Sequence, residues 1–191
     1  MNMKMHTRMA TTLALGLLPL LSGTALSQSA GETFKATASV ASPDGTASTP
    51  LTIRIERYVT DAERAPIVAA VKANDAAATQ RALEAVQDIG YIDAGSRRTP
   101  IKYAYERTTG TGRMVTVVTS KPVAHLGAGA PGAKPKGDHE LALALLILDA
   151  AGGGAGEFSP AVTLKVDELG AIVTTDYSRE VIRLTGISKV K

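Results

Sequence analysis

The residues best suited to chemistry are His125 and the tripeptide Asp138-His139-Glu140, in the second half of the chain. Imidazole and carboxylate groups can transfer protons or bind metals, so this set is the basis for a hydrolase hypothesis. Neighbouring side chains of a strand point to opposite faces, however, so the tripeptide cannot converge on one ion without a bend. We therefore interpret the tripeptide as a solvated strand end and predict no catalytic residue, no metal and no cofactor.

A glycine-rich segment, residues 126–136, invites comparison with phosphate-binding loops. Gly127 and Gly132 have the spacing of such a loop, but Ala-Lys-Pro follows where Lys-Ser or Lys-Thr is required. No helix is predicted after it to receive a phosphate at its N-terminus. The segment is typical of a flexible loop. The chain also contains no G-x-S-x-G or H-E-x-x-H motif, and the absence of cysteine excludes thiol nucleophiles and cysteine-bound zinc.

Two tyrosines are the candidate ligand-binding residues. Tyr103 and Tyr105 are two positions apart, so on a strand they share one face. Such a row can line a pocket or a partner surface, because tyrosine combines an apolar ring with a polar hydroxyl. The alternative is cross-strand packing. With two phenylalanines and no tryptophan in the chain, the rings can also serve as its large core residues.

Residues 1–27 have the three parts of a secretory signal peptide. Lys4 and Arg8 give a positive start, residues 9–21 are largely apolar, and small residues precede a cleavage position after Ser27. The apolar run is too short for a membrane span, which needs about 20 residues. We predict export to the periplasm or the extracellular space, with no membrane span in the mature chain.

The mature chain, residues 28–191, has the length of one ordinary domain and can bury a core without disulfides. Loss of Lys4 and Arg8 with the signal peptide reduces the net charge from +3 to +1, with 19 basic residues against 18 acidic ones. A nucleic-acid partner would need a concentrated basic patch, and the sequence shows none.

A run of eight apolar residues between Glu140 and Asp149 is central to the predicted fold. As a strand it would bury both of its faces, which is typical of a central strand in a sheet covered on both sides. Leucine and alanine also favour a short buried helix. The strand is preferred because the run is short and turn-rich segments bound it.

Apolar and polar residues alternate with a period of two over residues 34–40, 51–55, 101–105 and 162–166, which predicts strands there. Residues 114–120 are predicted as the strand that returns after a turn at residues 109–112, and residues 171–177 and 180–190 supply two more strands. A second flexible connection is predicted over residues 150–156, which are rich in glycine and alanine.

The pattern is helical over residues 60–89. Thr60 and Glu63 have the spacing of a capping box. Pro66 either kinks this first helix or marks its start, because proline cannot donate the bond back to the preceding turn. Asp75 is predicted to cap a second helix and Gly90 to end it.

Together these elements predict an α+β domain. An antiparallel, curved sheet of about eight strands, forming a sandwich or a partial barrel, carries the helical hairpin on one side.

Several short motifs follow one another along the chain: Arg57-Tyr58-Val59-Thr60-Asp61-Ala62-Glu63-Arg64, Gly90-Tyr91-Ile92, Lys121-Pro122, Leu146-Ile147-Leu148-Asp149 and Asp176-Tyr177. In these motifs the chain resembles a group of small, secreted, mostly uncharacterised bacterial proteins. The resemblance covers most of the mature chain and implies export and one domain, but no activity and no site residues.

The sequence favours a non-catalytic binding module of the bacterial envelope, whose partner is a small apolar ligand or a protein. A curved sheet with an aromatic strand face and no catalytic motif supports this hypothesis. One alternative is an envelope interaction or assembly protein that uses an exposed edge strand. The other is a hydrolase that uses His125, Asp138 or His139.

Overall fold

The computed structural model describes residues 31–42, 45–95, 98–123, 141–177 and 182–190. Two helices and nine strands follow one another along these residues. In chain order they are β1 (Glu32–Ser42), β2 (Gly45–Ile55), α1 (Asp61–Lys72), α2 (Ala76–Glu84), β3 (Gly90–Asp93), β4 (Arg98–Thr109), β5 (Gly112–Thr119), β6 (Leu141–Asp149), β7 (Gly154–Val166), β8 (Ile172–Tyr177) and β9 (Ile182–Val190).

The nine strands form one antiparallel sheet that closes into a barrel. Its spatial order is β6-β5-β4-β3-β2-β1-β9-β7-β8, and β6 also pairs with β7. That pairing closes a ring of eight strands, and β8 continues the sheet beside β7 beyond the end of β9. The prediction of a curved antiparallel sheet is confirmed. The prediction of a sandwich or partial barrel of about eight strands is wrong, because the ring closes and a ninth strand extends it.

The length of β7 explains the closure. This strand has 13 residues, and one of its edges pairs with β6. Its other edge pairs with β9 over residues 154–158 and with β8 over residues 162–166, so two strands lie end to end along it. The predicted flexible connection over residues 150–156 is therefore wrong in part, since Gly154 to Gly156 already belong to β7.

The apolar run that organises the prediction is a strand, β6, paired with β5 on one edge and β7 on the other. Leu146 and Leu148 lie opposite Val115 and Arg113 of β5 and face the barrel interior. The first half of β6 is buried on both faces, as predicted, whereas Ile147 on the outer face is 55% exposed.

The barrel interior is packed with large apolar side chains. An eight-stranded barrel is just wide enough for side chains to fill its centre. The interior residues that are almost fully buried are Phe34, Leu51, Ile53, Ile55, Ile92, Ile101, Leu146 and Phe158. The interior of the barrel is therefore the hydrophobic core of the protein.

Both predicted helix caps are present. Thr60 accepts a hydrogen bond from the Glu63 amide, and the Glu63 carboxylate accepts one from the Thr60 amide at 2.9 Å. The helix starts at Asp61, just after the capping box, and continues through Pro66. The alternative in which the helix begins at Pro66 is therefore wrong. Asp75 caps α2, accepting from the Ala78 amide at 2.8 Å.

The turn between the helices is tightly specified. Asn74 follows the last turn of α1 and has a φ of 53°. Asparagine tolerates this left-handed conformation better than most residues. Its amide donates to Val71 O, and the Asp75 amide donates to Ala70 O, which are the two bonds of a Schellman motif. Asp75 thus ends one helix with its backbone and starts the next with its side chain.

The helical hairpin covers the outer wall of the barrel, with α1 against β7 and α2 against β4. Lys102 of β4 donates to Val86 O at 2.8 Å, just after α2. The predicted packing of residues 60–89 on one side of the sheet agrees with this arrangement. The prediction that Gly90 ends the second helix is wrong. α2 ends at Glu84, and Gly90 is the first residue of β3. Within the described residues, neither helix is long and apolar enough to cross a membrane.

Candidate functional site

Tyr103 and Tyr105 lie side by side on the outer face of β4, beneath α1. Their ring centroids are 6.3 Å apart, and the Arg64 guanidinium of α1 lies 4.3 Å from the centroid of the Tyr105 ring. Tyr103 is fully buried and Tyr105 is partly buried. The cation–π contact with Arg64 joins α1 to this face of the sheet, and the two rings meet at an interplanar angle of 37°. Its ligand-binding role stays a prediction.

The same cluster holds polar atoms without hydrogen-bond partners. The Tyr103 hydroxyl, Arg64 Nε and Arg107 Nη1 are buried and make no hydrogen bond, although Arg107 lies 3.7 Å from the Asp167 carboxylate. Burial raises the pKa of Tyr103, and the nearby Arg64 charge opposes that rise. The Tyr103 hydroxyl is therefore neutral at physiological pH.

The residues of the hydrolase hypothesis, His125, Asp138, His139 and Glu140, lie outside the described residues. The glycine-rich segment between the two histidines lies there too. Among the residues that the structure describes, no group of three or more histidines or acids is placed to hold a metal ion.

A network of charges closes one end of the barrel around Glu32, whose side chain is 7% exposed. Arg113 of β5 binds both carboxylate oxygens of Glu32 at 2.8 Å, across the interior from β1. The Tyr58 hydroxyl donates to the same carboxylate at 2.7 Å, and Lys189 of β9 donates at 2.6 Å. Arg113 also binds Glu106 at 2.7 Å, so two cations meet two carboxylates. The attraction between these opposite charges thus offsets the free-energy cost of burying them.

Within this network, the pKa values of Glu32 and Tyr58 lie far from neutral pH. Burial raises the pKa of Glu32, but the hydrogen bonds from Arg113, Lys189 and Tyr58 outweigh it and lower this pKa from 4.5 to about 2. Burial and the bond to Glu32 raise the pKa of Tyr58 far above its usual value. Glu32 therefore stays ionised and Tyr58 stays protonated, which suits a structural tie better than a general acid or base.

The free energy of unfolding is expected to fall as the pH drops from about 4.5 towards about 2. A carboxylate with a lowered folded-state pKa contributes stability that is fully present above its unfolded pKa and is lost on approach to the folded one. Glu32 and Glu63 both have pKa values lowered to about 2 and act in this window. Acid unfolding should be followed by circular dichroism for the wild type and for Glu32→Gln.

The difference in stability between these two proteins should be about 2 kcal/mol at pH 7 and should shrink below pH 4.5. Glu56→Gln is the matched control, because Glu56 is an exposed partner of Arg54 with a carboxylate 57% exposed. A difference between wild type and Glu32→Gln that does not change with pH would contradict the role of Glu32.

A groove of about 460 Å³ lies between the helical hairpin and the outer face of the sheet. One wall is the α1–α2 turn with the start of α2, and the other is formed by β6 and β7. Its volume is within the range of small-molecule sites. Among the described residues it is lined by Val71, Asn74, Asp75, Ala76, Ala77, Thr79, Gln80, Arg81, Leu141, Val162, Thr163 and Leu164.

The groove has an aliphatic floor and a polar rim. Leu141, Val162 and Leu164 project from the strands and are nine-tenths or more buried. Asp75 and Arg81 are exposed at the helix side and carry opposite charges. An apolar floor with a few placed polar groups is the usual composition of a ligand site.

Sequence reasoning missed this groove because its walls come from segments far apart in the chain. Neither tyrosine of the predicted pair lines it. The only local signal is the pair Asn74-Asp75, which marks a tight connection between helices. Nothing in that pair indicates which strands the connection will face.

Comparison of the chain with protein-family models, with curated proteins and with solved structures gives no match.

Proposed function

We propose that this protein is an exported, non-catalytic binding module of the bacterial envelope and that the groove holds a small, mainly apolar ligand. The observation that carries the proposal is the groove itself, with its aliphatic floor of Leu141, Val162 and Leu164 below a polar rim. The signal-peptide pattern of residues 1–27 and the resemblance to small secreted bacterial proteins support export.

The remaining architecture supports a site outside the barrel. The interior is filled by core side chains, and the charge network around Glu32 closes one end. The groove, in contrast, is built on fixed elements: the capped turn at Asp75 and the paired strands β6 and β7. A rigid site loses little conformational entropy when a ligand binds.

Ala77→Trp is expected to abolish ligand retention without unfolding the protein. Ala77 is exposed, lies in α2 and lines the groove, so an indole at this position would occupy the cavity. The mature protein should be purified from its own envelope fraction and its mass compared under native and denaturing conditions. An added mass that disappears on denaturation is expected for the wild type and not for Ala77→Trp.

Ala69→Trp is the matched control. Ala69 is also an exposed helical alanine, but it lies in α1 and does not line the groove. This variant should keep the added mass. A wild-type protein that carries no added mass, or loss of the mass in both variants, would count against the groove as the site. The denatured mass also tests the predicted cleavage after Ser27.

A second candidate function is assembly through strand addition. Among the described strands, β8 pairs only with β7 and stands at the end of the sheet order. A strand in that position offers backbone donors and acceptors to a partner strand. The same native mass spectra separate the two functions, because strand addition predicts a second polypeptide instead of a small added mass.

A further inference from the structure

We infer that the ligand of the groove is an amphiphile with an anionic head, and that this head pairs with the Arg81 guanidinium. This inference rests on the proposed function, since it assigns the chemistry of the same groove. The observation behind it is separate from the apolar floor: an exposed cation on the wall has no partner among the described residues.

Helical spacing places Arg81 on the groove wall. α2 lines the groove with Ala77, Gln80 and Arg81, whose spacing puts them on one face of the helix. Arg81 is exposed, so a ligand that enters from solvent can reach its guanidinium. Ala77, one turn before it, is exposed as well and carries only a methyl group, which leaves the approach to Arg81 open.

The Arg81 charge is not neutralised by the protein. Glu84, three residues on and within reach on the helix surface, accepts instead from Gln80 Nε2 at 2.9 Å. In the part of the chain that the structure describes, no hydrogen bond or ion pair joins the Arg81 side chain to another residue. A guanidinium has five donors and no acceptor, so its natural complement is a carboxylate, sulfate or phosphate group.

The second charge among the described lining residues, Asp75, does not cancel this preference. Its carboxylate accepts from the Ala78 amide at 2.8 Å and so caps the positive end of α2. Arg81 follows Asp75 by six residues, which corresponds to about 9 Å along the helix axis. An anionic head at Arg81 therefore does not have to approach the carboxylate.

The floor of the groove determines the other half of the ligand. Leu141, Val162 and Leu164 are aliphatic, and a hydrocarbon that covers them removes apolar surface from water. A chain that lies on this floor can extend its head to Arg81 at the rim. The simplest molecule of this kind is a single-chain alkyl carboxylate.

Probes of similar chain length and different charge test this assignment: octanoate, octan-1-ol and octyltrimethylammonium. Binding should be measured at neutral pH and low salt by titrating the mature protein and following the amide NMR signals of groove residues. Octanoate is expected to bind about fivefold more tightly than octan-1-ol, and the cation no more tightly than the alcohol. The preference should shrink when salt is raised, because ions screen the exposed Arg81 charge.

Arg81→Met removes the charge and keeps a long, unbranched side chain with good helix propensity. In this variant the fivefold preference should vanish, mainly through weaker binding of octanoate. Arg54→Met is the matched control, because Arg54 is also an exposed arginine but lies in β2 and does not line the groove. It should keep the preference.

The outcomes separate the two proposals. Equal binding of octanoate and octan-1-ol at groove residues, or a preference that survives in Arg81→Met, would overturn the anionic-head inference and leave the binding function standing. Tighter binding of octyltrimethylammonium would overturn it as well. If no probe shifts the groove signals, the inference is wrong, and the retained mass in the wild type and in Ala77→Trp decides the proposed function. If Arg81→Met does not fold, the order of the probes on the wild type and its salt dependence still decide.

Discussion

Replacing Arg113 with methionine is expected to lower the free energy of unfolding by about 3 kcal/mol, because it leaves a buried carboxylate without its main partner. Arg113 binds both oxygens of Glu32 at 2.8 Å, and the Glu32 side chain is 7% exposed. Lys189 and Tyr58 still donate to Glu32 in the variant, which keeps the loss below that of a fully isolated charge. Urea unfolding at pH 7 measures the effect.

Arg54→Met provides the comparison with an exposed ion pair. Arg54 and Glu56 are 3.6 Å apart, and both side chains are more than half exposed. Exposed pairs contribute about 0–1 kcal/mol, so this variant should stay close to the wild type. Equal losses in Arg113→Met and Arg54→Met would mean that the burial of Glu32 does not matter.

The double variant Glu32→Gln with Arg113→Met should recover part of the loss seen in Arg113→Met, since it removes the charge that Arg113 neutralises.

The position of this ion pair gives it a structural consequence beyond its energy. β1 and β5 are four strands apart in a ring of eight and lie on opposite sides of the barrel. The Glu32–Arg113 contact therefore ties β1 across the interior to β5 on the opposite side of the ring. Glu32 is the first residue of β1, so the tie holds the start of that strand in place.

Local sequence patterns predicted most elements of this fold. The period of two located β1, β2, β4 and the second half of β7, because half-buried strands must alternate apolar and polar residues. Thr60, Glu63 and Asp75 located both helix starts, because a capping side chain satisfies donors within a few residues of itself. These signals depend on neighbours in the chain, and the structure confirms them.

The missed features depend on distant partners. β3 has only four residues, too few for a clear period, and it is held by pairing with β2 and β4. Closure of the barrel depends on β7 reaching both β6 and β9, although its glycine-rich start is typical of a loop. Glycine fits there because a Cβ on Gly154 or Gly156 would overlap the backbone of β6.

The candidate site was harder to predict than the fold for the same reason. Tyr103 and Tyr105 do share a strand face, as their spacing indicates, but Tyr103 is fully buried and Arg64 of α1 lies over the Tyr105 ring. The groove arises only after α2 meets β6 and β7 in space.

Gly90→Ala is expected to destabilise the protein by about 3–5 kcal/mol. Gly90 has a φ of 150°, which side chains other than hydrogen rarely tolerate. A Cβ at this position would overlap the carbonyl oxygen of Arg54 and lie 3.1 Å from Ile55 Cα. Both contacts are with the backbone of β2, which cannot move away without breaking its pairing with β3. Urea unfolding measures the loss.

Gly110→Ala is the matched control, because a Cβ there would meet no atom within 4 Å and Gly110 does not have a positive φ. It should change stability by less than about 0.5 kcal/mol. A large loss only at Gly90 would show that β3 needs the glycine backbone there, with its positive φ and its close approach to β2, to join the ring. Similar small effects at both glycines would mean that the β2–β3 junction can relax, and the missed strand β3 would then be a weak point of the barrel.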